Sequence, residues 1–251
     1  MAEAKPDVVV VATPVLATPG VVEALLPTEA IVLIEKPAGP DLAEAERLAR
    51  TLAGAGARAY VALNRRFLAS VQWVLGLLPS GQRTVTVLDQ QSRRLARDIG
   101  HPEEVVRNWH FANSIHLIDL LRVFARGPVC GVETLQRPGS DGGVLVAAVR
   151  FESGDLGVYL AVWEGPGPWA VTVNCSRERF VLQPLESAGR QQVGSRETVA
   201  MPPDPVDLEH KPGLVRQAQA ALAAARGEPT FLPTVWDALE SMRLADRLYA
   251  D

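Results

Sequence analysis

The chain is 251 residues long, 47% hydrophobic, with a net charge of −4; it can bury one large or two smaller cores, and its mild acidity argues against nucleic-acid or membrane-surface partners. No apolar run reaches the roughly 18–20 residues of a membrane span, and Met1 to Pro6 is too short and polar for a signal peptide. Cys130 and Cys175 have no metal-type spacing and no C-x-x-C partner, so a reduced, cytoplasmic setting is expected, with both thiols as core fillers.

Residues 7–12 form a continuous apolar run, the pattern of a strand buried on both faces. Thr13-Pro14 stops it, and Thr18-Pro19 predicts a helix start with Thr18 as N-cap. A second buried strand covers 31–34 and ends at Glu35-Lys36-Pro37. The chain has three lysines (Lys5, Lys36 and Lys211) against twenty-two arginines. Lys36 therefore stands out at a strand's carboxyl end, where open α/β sheets bind ligands, although a surface lysine is the plainer alternative. Asp41 caps a helix carrying Leu42, Ala45, Leu48 and Leu52 at helical spacing, and residues 58–63 give a third strand ending at Asn64-Arg65-Arg66-Phe67. This alternation predicts a parallel sheet with right-handed crossovers.

Beyond Phe67 the pattern predicts a helix over 68–78, a half-exposed strand over 84–89 and a helix over 112–125. Three or four strands follow near 129–136, 144–151, 156–163 and 169–183, separated by short turns that imply an antiparallel sheet with one face free. Residues 202–212 read as a proline-rich loop, and helices near 213–226 and 233–249 close the chain. The fold class is α/β: a partial Rossmann-type sheet over 1–66, an α+β domain with an open, mainly antiparallel sheet over 67–232, and a closing helix over 233–251 expected to pack back on the N-terminal domain. Gly54-Ala55-Gly56-Ala57-Arg58-Ala59 matches G-x-G-x-x-A literally, but it follows a helix and precedes a strand. A phosphate loop has the reverse order, so these glycines read as a helix stop.

Ala12-Thr13-Pro14, Glu35-Lys36-Pro37, Asn64-Arg65-Arg66-Phe67 and His116-Leu117-Ile118-Asp119, in that order, resemble the Gfo/Idh/MocA oxidoreductases (glucose–fructose oxidoreductase and inositol dehydrogenase). The closing helix from Thr234 fits the same family. The resemblance implies a Rossmann domain followed by an open sheet that often forms the subunit interface. It also implies NAD- or NADP-linked oxidation or reduction of a sugar or cyclitol hydroxyl. The family's catalytic pair falls on Lys36 and His116, and its cofactor-binding positions on Thr13, Pro14, Glu35, Lys36 and Pro37. Arg65 and Arg66, at a strand end on the predicted ligand edge, and Asn113 and Asp119, near His116, are the candidate substrate contacts. A base and a cation beside a hydroxyl that loses its proton as hydride leaves both lower the barrier.

Three departures accompany the resemblance. The family's opening strand, glycine loop and next unit are missing, about 60 residues at roughly 30 per βα unit, and the pyrophosphate cradle goes with them. The aspartate expected four residues before the histidine is Ala112, and a histidine often found after the Thr-Pro turn is Thr18. Several residues have structural alternatives. His116 and Asp119, at i and i+3, are either catalytic or a carboxylate-tethered histidine in a polar corner. Arg65 and Arg66 either hold an anion or form ion pairs. Trp109 and His110 either line a cleft or pack, while His101 and His210 read as loop residues.

Without the first half, the strand at 8–11 is left as a bare valine-rich edge, so a second copy, a different subunit or an upstream segment is expected to cover it. Three functions follow: an oxidoreductase that is impaired or partner-dependent, a non-catalytic binding or assembly subunit using the open sheet, or a cofactor-free acid–base enzyme working in the Lys36/His116 cleft.

Overall fold

Three apolar runs pair in parallel register to open the fold. In the computed structural model, which describes residues 5–139 and 142–250, β1 (Val8–Val11) pairs with β2 (Ile31–Glu35), and β2 with β3 (Ala59–Ala62). The crossovers are α1 (Thr18–Ala24) and α2 (Leu42–Gly54). Asp41 caps α2 by accepting the Glu44 N–H at 2.8 Å, and Gly56 follows it at φ 63°, in keeping with a glycine stop. Thr18 is not the N-cap of α1. It is the first helical residue, and its buried hydroxyl turns back to Thr13 Oγ1 at 3.1 Å. Pro19 in the first turn needs no N–H partner there, so the helix starts without a side-chain cap.

After a 3₁₀ turn (Asn64–Phe67) come α3 (Ala69–Leu77), β4 (Thr84–Gln91), α4 (Arg93–Asp98) and α5 (Glu103–Arg107). A π-helical turn (His110–Ser114) leads into α6 (Ile115–Phe124). The strands β5 (Val129–Gln136), β6 (Gly143–Phe151), β7 (Leu156–Trp163), β8 (Ala170–Asn174), β9 (Glu178–Leu182), β10 (Gly189–Gln192) and β11 (Val199–Ala200) follow. Helices α7 (Pro205–Glu209), α8 (Leu214–Ala225) and α9 (Val235–Tyr249) end the described chain. The expected strand at 169–183 is two strands, and the proline-rich loop contains α7.

The second sheet has eight strands in the order β11-β10-β9-β8-β4-β7-β6-β5. It is antiparallel except that β4, central in the order, runs parallel to β7. Its strands alternate buried and partly exposed residues, so one face lies against helices and the other is open. Buried α6 packs on the covered face, and α9 spans α6, α2 and β3. One continuous apolar core therefore joins the two sheets, with a smaller cluster under α8. Cys130 is exposed on edge strand β5 next to a register shift, and so does not fill the core; Cys175 is half-buried. Among the described residues, no helix is long and apolar enough to cross a membrane.

Candidate active-site cleft

Because β1, β2 and β3 run parallel, the residues that follow them meet at one sheet edge. Thr13-Pro14, Lys36-Pro37 and Arg65 all lie there, at the carboxyl ends where such sheets bind ligands. Glu35 ends β2 in register with Ala62. Lys36 Nζ crosses to the π-helical turn and donates to the Ala112 carbonyl at 2.6 Å. The position where the family carries an aspartate thus meets the lysine through its backbone oxygen. Burial is the main cause that brings the Lys36 pKa down to about 8; Arg65 and Lys211 lower it further, and Glu35 works against them.

His116 lies in the first turn of α6, 6% exposed, and its buried Nδ1 has no hydrogen-bond partner. Burial lowers its pKa well below the ordinary value, and Lys36, Arg65 and Lys211 add to the effect. The imidazole is therefore neutral at pH 7. Its ring centroid is 6.3 Å from that of Trp169, and Arg65 lies 5.9 Å over the Trp169 ring. The Trp169 indole N–H is held by the Gln90 carbonyl at 2.9 Å. Lys36, His116, Arg65 and Trp169 thus lie at this sheet edge, with Lys211 near enough to act electrostatically on Lys36 and His116.

Asp119 and Arg66 do not join it. Arg66 grips Asp119 with two bonds of 2.7 and 2.6 Å and reaches Asp237 at 2.7 Å. The Ser241 hydroxyl donates to Asp119 at 2.7 Å, and Arg122 donates to Asp237 and Ser241. Asp119 therefore does not tether His116, because the two-pronged guanidinium takes both of its oxygens. With its donors satisfied by protein carboxylates, Arg66 is a structural residue of the core and does not present itself to a substrate. Asn113 Nδ2 donates to Gln91 Oε1 at 2.9 Å, as does the Trp109 indole at 3.0 Å. Gln91 in turn donates to buried Asp89, which also accepts the Tyr159 hydroxyl at 2.6 Å. Asn113 thus belongs to this buried network.

Trp109 packs with His101, and His110 stacks on Tyr249 with centroids 4.7 Å apart. His110, its pKa lowered to about 4 by burial and by Arg93, also lines a cavity of about 480 Å³ with Asp41, Glu46 and Asp246. His210 ends α7.

Lys211 and Trp169 are site residues that local sequence pattern does not reveal: lysine scarcity is the one signal at Lys211, and Trp169 carries none.

Residues 1–63 match the family described as "Oxidoreductase family, NAD-binding Rossmann fold" (GFO_IDH_MocA). This segment is similar to the Gfo/Idh/MocA oxidoreductases. Over nearly the whole chain the fold is that of solved dehydrogenases. A dehydrogenase from Chromobacterium violaceum superposes with TM-score 0.81 at 19% identity, over 98% of this chain and 76% of that one. UDP-N-acetylglucosamine 3-dehydrogenase GnnA from Acidithiobacillus ferrooxidans gives 0.76 at 15%, over 95% and 76%. The WlbA dehydrogenase from Bordetella pertussis, solved with NADH and UDP-GlcNAcA, gives 0.70 at 22%, over 98% and 77%. No curated protein matches the sequence.

Of the residues a nicotinamide cofactor would need, the described chain carries those at one end of the sheet edge. Thr13-Pro14 and Lys36 flank the sheet edge on which the nicotinamide ring would lie. Among the described residues, no strand is followed by a glycine-rich turn opening a helix, so none offers a pyrophosphate cradle.

Proposed function

We propose that the chain is an oxidoreductase of the Gfo/Idh/MocA type acting on a sugar or cyclitol hydroxyl, with the proton handled at Lys36. The observation that carries this reading is the buried Lys36 ammonium, bonded to the Ala112 carbonyl beside His116 and brought to a pKa of about 8. The similarity to solved sugar-nucleotide and aldose oxidoreductases supports the substrate class. NAD or NADP, when bound, would supply hydride transfer.

The chain's own part is acid–base. A lysine with a pKa near the working pH both accepts and returns a proton efficiently. His116, neutral and held well below its ordinary pKa, is the weaker acceptor and serves to position the hydroxyl. In the oxidation direction neutral Lys36 Nζ takes the hydroxyl proton. Oxidation should then rise about tenfold per pH unit below about 8 and level off above it. Lys36→Met should lower kcat by about 10²–10⁴-fold.

A second reading, a non-catalytic binding or assembly subunit, is favoured by the missing pyrophosphate cradle among the described residues. NADH and NADPH titration of the purified chain, followed by fluorescence, separates the two. Micromolar binding, together with a pH profile that shifts in Lys36→Arg, supports the oxidoreductase. Absence of binding to either nucleotide would refute a self-contained dehydrogenase.

A further inference from the structure

Three cations share the cleft with few acidic groups to balance them. Lys36 and Lys211, two of the chain's three lysines, both bear electrostatically on His116 from positions far apart in sequence. The turn carrying Lys211 is fixed in place. Asp207 accepts the Gly213 N–H at 3.1 Å and the Ala69 N–H at 2.7 Å, tying that turn to the start of α3. Gly213, at φ 80°, lies so close to the 3₁₀ turn that a Cβ would come within 2.6 Å of the Asn64 carbonyl. Only glycine allows this approach, which brings the turn carrying Lys211 against the 3₁₀ turn carrying Arg65.

Neither cation is spent on a strong internal pair. Lys211 is exposed and makes no salt bridge to a described residue. Arg65 has one 3.3 Å contact with the half-exposed carboxylate of Glu186, and its buried Nε has no partner. Arg66, the adjacent residue, is by contrast satisfied by Asp119 and Asp237. The chain thus uses one arginine for structure and leaves the next facing the cleft. Trp169 adds an apolar wall, continuous with a cavity of about 310 Å³ lined by Pro168, Gln183, Pro184, Leu185 and Glu186.

We propose that Arg65 and Lys211 form an anion-binding subsite beside Lys36, so that the substrate is a sugar bearing a carboxylate or phosphate, its ring against Trp169. An oxyanion would pair with the partly exposed end of the Arg65 guanidinium, neutralise the mutual repulsion of the cations and make charge-assisted bonds. The inference deepens the oxidoreductase reading and rests on it for the hydroxyl that reacts, but ligand binding alone tests it.

The test is calorimetric titration of the full chain with glucuronate, glucose 6-phosphate, inorganic phosphate and glucose. At least one acidic sugar should bind about tenfold or more tightly than glucose, with affinity falling as salt is raised. Which acidic sugar prevails distinguishes carboxylate from phosphate, and inorganic phosphate should compete in the second case. Lys211→Ala should abolish the preference and Lys211→Arg should keep it; because Lys211 is exposed, both variants should fold. Equal affinity for acidic and neutral sugars, no binding of any of them, or a preference intact in Lys211→Ala overturns the proposal. A parallel NADH titration keeps the two readings apart. Nucleotide binding without anion preference sinks only the subsite, and anion preference without nucleotide binding sinks only the dehydrogenase.

Discussion

The ammonium of Lys36 is withdrawn from water against the Ala112 carbonyl, and this burial, with Arg65 and Lys211 adding to it, has brought its pKa from 10.5 down to about 8. An unfolded chain holds that proton up to about pH 10.5, so between about 8 and 10.5 the unfolded state binds more protons than the folded one. Stability should therefore rise with pH across that window, and the full penalty applies below about 8. Lys36→Met should stabilise the fold at pH 7 by on the order of 2 kcal/mol. The same variant should lose the pH-dependent gain, as read by urea denaturation at pH 7 and pH 10. A less stable variant would mean that the bond to Ala112 outweighs desolvation. Rarity made Lys36 legible in the sequence. Lys211 is as rare, but the partners that give it meaning come from a strand end some 150 residues away, and no local pattern encodes that. The i, i+3 spacing of His116 and Asp119 was legible too, yet spacing cannot show that Arg66 takes the carboxylate first.

At the scale of elements, the network around Arg66 clamps the 3₁₀ turn, α6 and α9 together. Burial by itself lowers the Arg66 pKa, but Asp119 and Asp237 outweigh it and the net shift is upward. Losing one partner leaves a buried carboxylate uncompensated, which typically costs about 3–5 kcal/mol. Arg66→Met should therefore lower stability by about 3 kcal/mol in chemical denaturation, while Arg65→Met, whose one carboxylate partner is half-exposed, should cost under about 1 kcal/mol. Equal losses would show that the clamp is not where the structure places it. The long periodic elements, β1 to β3, α2, α6 and α9, were readable because their apolar positions repeat. The short α4 and α5 and the polar strand β10, Gly-Arg-Gln-Gln, carry too few apolar residues to form a period. Their conformation is imposed by neighbours, as when β10 pairs with β9.

Across the whole molecule, two surfaces look like those of a chain that associates. Strand β1 is an edge of the parallel sheet, with Val10 59% exposed. The open face of the larger sheet presents Val144 and Leu156, 37% and 38% exposed, on neighbouring strands. A flat valine edge pairs readily with another strand, and a contiguous apolar face favours a partner of similar character. We predict that the 27.0 kDa chain sediments above its monomer mass at micromolar concentration. Val10→Lys should break an edge-mediated assembly, and Val144→Lys with Leu156→Lys a face-mediated one. Each substitution is at the surface and should change monomer stability by no more than about 0.5 kcal/mol. Dissociation by only one of the two variants identifies the surface used. A monodisperse monomer across the whole concentration range would show that neither surface is an interface between copies of this chain.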